Sequence, residues 1–277
     1  PALPRESNEL IEQLGLVLVP PGAESIAVLQ PAFSAREVMA GMRLQFSLLG
    51  LDWTLSYAHG RDSIPALSGS HALLTADPGL GCAPAGSNCL VVQRVDLVYP
   101  KVDVIGLDFR TDLWGIGLWG EAALVVPRKL DSPMMLDWGN GTASEVAAIK
   151  VIEDEPFVKW VLGGEYTFDG GWYLNLQWVH GFFTEQSGHA LHDYLFGIVR
   201  KTMLSERLRF EISGGGELAR RAGDDSWAWV FIGEVGYKPS DAVELVLGGA
   251  LARGQNGTSF TMFEPLDQVY LKALAYF

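Results

Sequence analysis

Leu266-Asp-Gln-Val-Tyr-Leu-Lys-Ala-Leu-Ala-Tyr-Phe277 is the stretch whose reading decides the fold. Val269, Leu271, Ala273, Ala275 and Phe277 occupy every second position, while Gln268 and Lys272 fall between them. Side chains alternate across an extended chain, so the spacing predicts a strand with one apolar and one polar face. A single such strand is compatible with any antiparallel sheet. Its weight comes from repetition upstream.

From Ala40 onward the same alternation recurs. Met42, Leu44, Phe46 and Leu48 oppose Arg43, Gln45 and Ser47; beyond Gly50, Leu51, Trp53, Leu55 and Tyr57 oppose Asp52, Thr54 and Ser56. Further strands are expected over 94–111, where Pro100 suggests a bulge or an entry outside the hydrogen-bonded band, and over 116–126, 157–168, 172–183, 191–202, 207–219, 227–237, 242–252 and 266–277. Most run about ten to thirteen residues, against about five to six in a typical globular sheet; ~9 to 11 tilted residues cross a hydrocarbon core. Short connections at Gly50, 112–115, 169–171, 204–206 and 239–241 alternate with longer ones at 60–93, 127–155, 184–190, 220–226 and 253–265. Short turns at one end and longer loops at the other are the habit of bacterial barrels.

Composition narrows the class. The 277 residues are 48% hydrophobic, yet no uninterrupted apolar run reaches the ~18 residues of a membrane-spanning helix. A net charge of -13 with no basic stripe argues against nucleic acid as a partner. The expected fold is therefore all-β: a transmembrane antiparallel up-and-down β-barrel of about 11–12 strands in this chain, alone or as part of a larger barrel. Residues 40–277 supply the barrel. Residues 1–39, broken by Pro1, Pro4, Pro20, Pro21 and Pro31, form an irregular segment with a candidate short helix near Glu6–Leu14 and a short apolar run at Ile26–Leu29.

Each face then has a task. Trp53, Tyr57, Trp160, Tyr166, Phe168, Trp172, Trp178, Trp227, Trp229, Tyr237 and Phe277 are assigned outward, where aromatic rings suit the membrane interfaces. Opposite them fall Arg43, Asp52, Asp108, Arg110, Glu121, Lys159, Glu165, Asn175, Gln177, Arg209, Glu211, Glu217, Glu234, Glu244 and Lys272. A Lys or Arg facing lipid at the midplane costs roughly 2–4 kcal/mol, so these residues are expected to line an interior. Two uses follow: a network of pairs that merely satisfies the interior, or a wet path whose excess of carboxylates favours cations or neutral polar solutes. The expected location is the bacterial outer membrane, with membrane lipid and lipopolysaccharide as surroundings and a partner subunit or further copies as candidate partners.

No cofactor, metal site or catalytic residue is assigned. Ser187, His189, His192 and Asp193 form the one local group holding a hydroxyl, a base and an acid, and the bland reading of solvated loop residues is preferred. Gly214-Gly-Gly lies inside a strand with no helix after it, which argues against a phosphate cradle.

Three stretches carry a resemblance: Leu51-Asp-Trp-Thr-Leu-Ser-Tyr-Ala-His-Gly-Arg-Asp, Tyr99-Pro-Lys-Val-Asp-Val-Ile-Gly-Leu-Asp-Phe and Gly120-Glu-Ala-Ala-Leu-Val-Val-Pro. Residues 40–180 resemble the later half of a large, uncharacterised family of proteobacterial outer-membrane proteins, and the final strand resembles the closing strand of Gram-negative outer-membrane β-barrels. The resemblance implies a porin-like barrel and brings no chemistry with it. A channel is the first expectation, a structural or assembly barrel anchoring a partner complex the second and an outer-membrane hydrolase the third.

Alternation also counts the strands. Eleven from Met42 to Phe277 is odd, and an odd antiparallel sheet cannot close on itself with every pair antiparallel. The last strand is therefore expected to pair with one N-terminal to Ala40, supplied from upstream of Pro1 or by Ser25–Leu29. With Pro1 where an initiator Met would stand, the chain is expected to be a mature form or a part of a longer one.

Cys82 and Cys89 flank Ala-Pro-Ala-Gly-Ser-Asn, a turn-forming stretch that lets two sulfurs meet and predicts a disulfide in an oxidising compartment. The native protein, denatured without reductant, is expected to show no thiol reactive to maleimide, and both cysteines are expected to label after reduction. Labelling before reduction would remove the disulfide.

Overall fold

The computed structural model describes residues 17–19, 25–31, 34, 37–76, 89–139, 141–218, 227–255, 258, 260 and 267–276. The candidate helix at Glu6–Leu14, Cys82 and Phe277 lie outside them. The described chain is all-β, with seventeen strands and no α-helix. They are β1 (Val17–Val19), β2 (Ile26–Leu29), β3 (Ala40–Leu48), β4 (Leu51–Arg61), β5 (Ala66–Thr75), β6 (Cys89–Val98), β7 (Lys101–Leu113), β8 (Ile116–Pro127) and β9 (Leu130–Asp137). There follow β10 (Ala143–Ile152), β11 (Phe157–Phe168), β12 (Trp172–His180), β13 (Asp193–Met203), β14 (Leu208–Leu218), β15 (Ala228–Ser240), β16 (Val243–Gly254) and β17 (Gln268–Ala275).

Two compact units result, one of residues 1–40, 58–103 and 126–155, the other of 41–57, 104–125 and 156–277. The larger sheet has eleven strands in the order β17-β16-β15-β14-β13-β12-β11-β8-β7-β4-β3, the number counted from the alternation. From β8 through β11 to β17 each neighbouring pair is antiparallel. Among the described residues, the ends of the order, β3 and β17, are not paired with each other.

Local chemistry sets the tight turns. Leu49 and Gly50 (φ 58° and 76°) and Trp114 and Gly115 (φ 57° and 79°) are left-handed pairs, the conformation that a two-residue hairpin requires and that glycine adopts without steric cost. Asp112 Oδ1 accepts the Gly115 amide at 3.1 Å and fixes the second turn.

The segments 60–93 and 127–155, read above as long loops, carry β5, β6, β9 and β10 instead. These four strands join β1 and β2 in a six-stranded sheet of order β1-β6-β5-β9-β10, with β2 also on β6. It is mixed: β1 and β2 lie parallel to β6 and β5 parallel to β9. Its core is Ala72, Leu90 and Leu136, with Leu74 and Met134 against them. The expected strand over 94–111 is likewise two strands, β6 and β7, because Pro100 separates them. Ile26–Leu29 is a strand, as its apolar run suggested, but β6 takes it, which removes Ser25–Leu29 as the partner of the last strand.

Glu37 anchors the approach to β3 in the smaller unit. Its carboxylate accepts from Lys101 Nζ at 2.9 Å and from Arg61 Nη2 and Nε at 2.6 and 2.8 Å. Those hydrogen bonds, Lys101's first, hold the Glu37 carboxyl below its ordinary value. A carboxyl depressed in the folded state adds stability above its unfolded pKa and loses it as pH falls through the folded one. The Asp62 amide, which donates to Pro100 O at 2.8 Å beside this cluster, reads that loss. Its hydrogen-exchange protection is expected to fall below about pH 4.5 in the wild type, and Glu37→Gln is expected to lower it at neutral pH and remove the acid step.

Candidate functional site: the charged face of the eleven-stranded sheet

Register determines which side chains share a face. Glu211 pairs with Glu234 and Arg200, Arg209 with Gly236 and Thr202, and Glu217 with Ala228 and Tyr194. Continuing outward, Glu234 pairs with Gly248, and Val246 with Lys272; in the other direction Asn175 pairs with Glu165 and Ile198, and Val161 with Glu121. Contacts extend the face to the earlier strands: Arg43 Nη2 donates to Thr54 Oγ1 at 3.4 Å and lies 4.0 Å from Asp108, Ser47 bonds Asp52 at 2.6 Å, and Arg110 lies 3.9 Å from Glu165. All fifteen residues assigned to an interior therefore occupy one face of one sheet.

That face is extensively paired. Across β13 to β17, Arg209 reaches Glu211 and Glu234 at 3.3 Å and Glu244 at 3.2 Å. Arg200 bonds Glu211 at 2.5 Å, and Lys272 and the Tyr270 hydroxyl donate to Glu234 at 3.0 and 2.7 Å. Tyr276 donates to Glu244 at 3.2 Å. A second chain runs along β12: Gln177 donates to Asn175 at 3.0 Å, Asn175 to the Tyr173 hydroxyl at 3.3 Å, and Tyr173 to Glu165 at 2.7 Å. Between this chain and β7 lies a cleft of about 430 Å³ lined by Asp52, Arg110, Asp112, Glu165, Thr167 and Tyr173, among others. A second cleft, of about 340 Å³, has Asp108, Glu121 and Lys159 in its wall.

The opposite face is apolar and aromatic. Trp53 packs on Phe109 with centroids 5.6 Å apart, Trp160 on Trp178 at 5.0 Å, and Tyr166 on Phe168 at 4.6 Å. Trp160 and Trp178 sit toward the longer connections; Tyr166, Phe168, Trp172 and Tyr237 sit toward the short turns. Leu162, Leu176, Leu245 and Leu247 stand exposed on the same face.

Burial runs opposite to the soluble pattern. Glu217, Glu244 and Asn175 on the charged face are 7%, 6% and 6% exposed, whereas Phe231, Leu247 and Leu176 on the apolar face are 50%, 56% and 49% exposed.

The group Ser187, His189, His192 and Asp193 is not assembled as an acid, a base and a hydroxyl. Asp193 accepts from Trp178 Nε1 and meets His180 Nδ1 at 3.1 and 3.0 Å on the apolar face. His192 turns to Glu185, 2.8 Å from Nδ1. Arg200, Tyr173, Tyr270 and Glu185 belong to the charged face or its cover and escaped the sequence reading. Arg200 was recoverable, since Leu195, Gly197 and Val199 put Lys201 outward and its neighbour inward. Glu185 had no periodic signal. Cys89 opens β6 fully buried.

Comparisons with protein-family models, curated proteins and solved structures return no match.

The Arg209 cluster makes the face testable. Arg209→Met leaves Glu211, Glu234 and Glu244 facing one another and is expected to lower the stability against unfolding by roughly 1–3 kcal/mol, measured by urea titration. Arg209→Lys keeps the charge without the fork and is expected to recover only part.

Proposed function

We propose that the eleven strands are the greater part of a transmembrane β-barrel of the bacterial outer membrane, whose charged face bounds a wet path for small polar or cationic solutes. The observation that carries this is the inverted burial of the sheet: its exposed face is apolar with aromatic ends, and its shielded face is charged. Support comes also from strand length, since ten of the eleven strands run nine to thirteen residues and β17 runs eight. Such lengths suit tilted passage through a hydrocarbon core. Lipid leaves no solvent for unpaired backbone groups, so a closed antiparallel barrel needs an odd number of further strands between β17 and β3.

The second reading, a filled barrel that anchors loops or a partner complex, is favoured by the pairing itself. Arg209, Arg200 and Lys272 tie up three carboxylates across five strands and leave that part of the interior crosslinked. The two readings part on conduction. In planar bilayers with a salt gradient, the reconstituted protein is expected to give a reversal potential of cation-preferring sign, because carboxylates outnumber bases on the inner face. Anion preference would refute the charge assignment, and absence of conduction would transfer the case to the anchoring barrel.

A further inference from the structure

The connection between β12 and β13 does not behave as a free loop. Glu185, in its middle, is 9% exposed and collects four donors. Oε2 accepts the amides of Phe182 and His192 at 2.7 and 3.2 Å; Oε1 accepts His192 Nδ1 at 2.8 Å and the Tyr194 hydroxyl at 2.6 Å. The other ring nitrogen of His192 lies 3.7 Å from Glu217 on β14. Lys159, reaching from β11, donates to the Phe182 carbonyl at 2.7 Å.

Each of these strand partners is on the charged face by register: Tyr194 opposite Glu217 and Val179, and Lys159 opposite Ala123 beside Glu121. The segment therefore lies over that face. Its Phe182 ring enters an aromatic cluster there, 5.1 Å from Tyr194, 6.4 Å from Phe196 and 6.2 Å from Phe260. Tyr194 is fully buried and Phe260 nearly so.

We propose that residues 181–192 are a lid seated on the charged face by a Glu185–His192–Glu217 bridge, and that the seat loosens as pH rises. As the lid of a wet path, it rests on the channel reading above. Imidazole changes charge between about pH 5 and 8. While His192 carries a proton on both nitrogens, it donates to Glu185 and stands as a cation between two shielded carboxylates. Once the ring is neutral, one nitrogen becomes an acceptor, and Glu185 and Glu217 lose the cation between them.

Among the described residues, the groups facing the ring are Glu185 from its own segment, Glu217 from β14 and the Tyr194 ring from β13. Lys159, from β11, donates to the Phe182 carbonyl of the same segment. The charge on His192 therefore adjusts a seat whose apolar half, Phe182 in its aromatic cluster, does not titrate.

Two measurements on the full chain test this. In detergent micelles, hydrogen exchange at the Phe182 and His192 amides, corrected for intrinsic rates, is expected to speed at least about tenfold between pH 5.5 and 8.5. Glu185→Gln is expected to raise it at both pH values, and His192→Gln to abolish the dependence on pH. In planar bilayers, wild-type conductance is expected to rise over the same range and that of His192→Gln to stay flat. Amides whose corrected exchange ignores pH, or a pH response that survives in His192→Gln, would overturn the lid. Amides released as expected with no conductance at any pH, in the wild type or in Glu185→Gln, would retire the channel reading and leave the pH-released seat standing.

Discussion

Cross-strand register is the constraint on which the larger sheet depends. Because side chains alternate with a period of two, a slip of one residue between β14 and β15 would carry Arg209, Glu211 and Glu217 to the apolar face and Phe210 and Ile212 to the charged one. Such a slip fails twice. Leucines would meet carboxylates on one side, and Arg209 would lose its three partners on the other. Packing enforces the register as well: the Trp119 ring covers Gly163 so closely that a Cβ there would lie 2.3 Å from it, and Tyr270 covers Gly248 at 2.5 Å. These glycines are the gaps that allow those two rings to lie flat against the charged face.

The charged network is a consequence of that register. Arg209 and Glu211 are two residues apart on β14, while Glu234, Glu244 and Lys272 come from three other strands. Only when β14, β15 and β16 are all in place does one guanidinium meet three carboxylates. An Arg fork can serve several acceptors at once, where a Lys ammonium acts as a point charge. The cluster thus links strands that are not direct neighbours, β14 to β16 and β15 to β17, and so ties the sheet together across its width as well as along each ladder.

How much was legible follows from the same physics. The number of long strands in the larger sheet, their order in the chain, their short turns and the shared face of the fifteen charged and polar residues singled out could be read, because alternation over eight to thirteen residues leaves little freedom. The smaller sheet was not legible. Ala66-Leu-Ser-Gly-Ser-His-Ala-Leu-Leu-Thr mixes small and apolar residues on both faces, and β9 carries Pro133 in its middle, a residue that normally counts against a strand. Pairing there is partly parallel and joins distant segments, Ile26–Leu29 with Val95–Val98, so no local pattern announces it. Of the two readings of Pro100, the bulge within one strand fails: Pro100 lies outside the ladder, between the end of β6 and the start of β7. Glu185 was invisible for a different reason, since its partners are chosen by the fold of a short segment and a hydroxyl on β13.

The same register also divides the charged face along its length. The pairs at Arg209 and Lys272 neutralise the carboxylates of β14, β15 and β16 toward the short turns, whereas Glu217, near the other end of β14, lies 3.7 Å from His192. Arginine stays charged at any physiological pH; imidazole does not. The Arg209 end of the charged face is thus tied by a group that keeps its charge, and the proposed seat of residues 181–192 by a group that need not. A sheet that must keep its register needs the first kind of tie, and a segment that must leave its seat can use only the second.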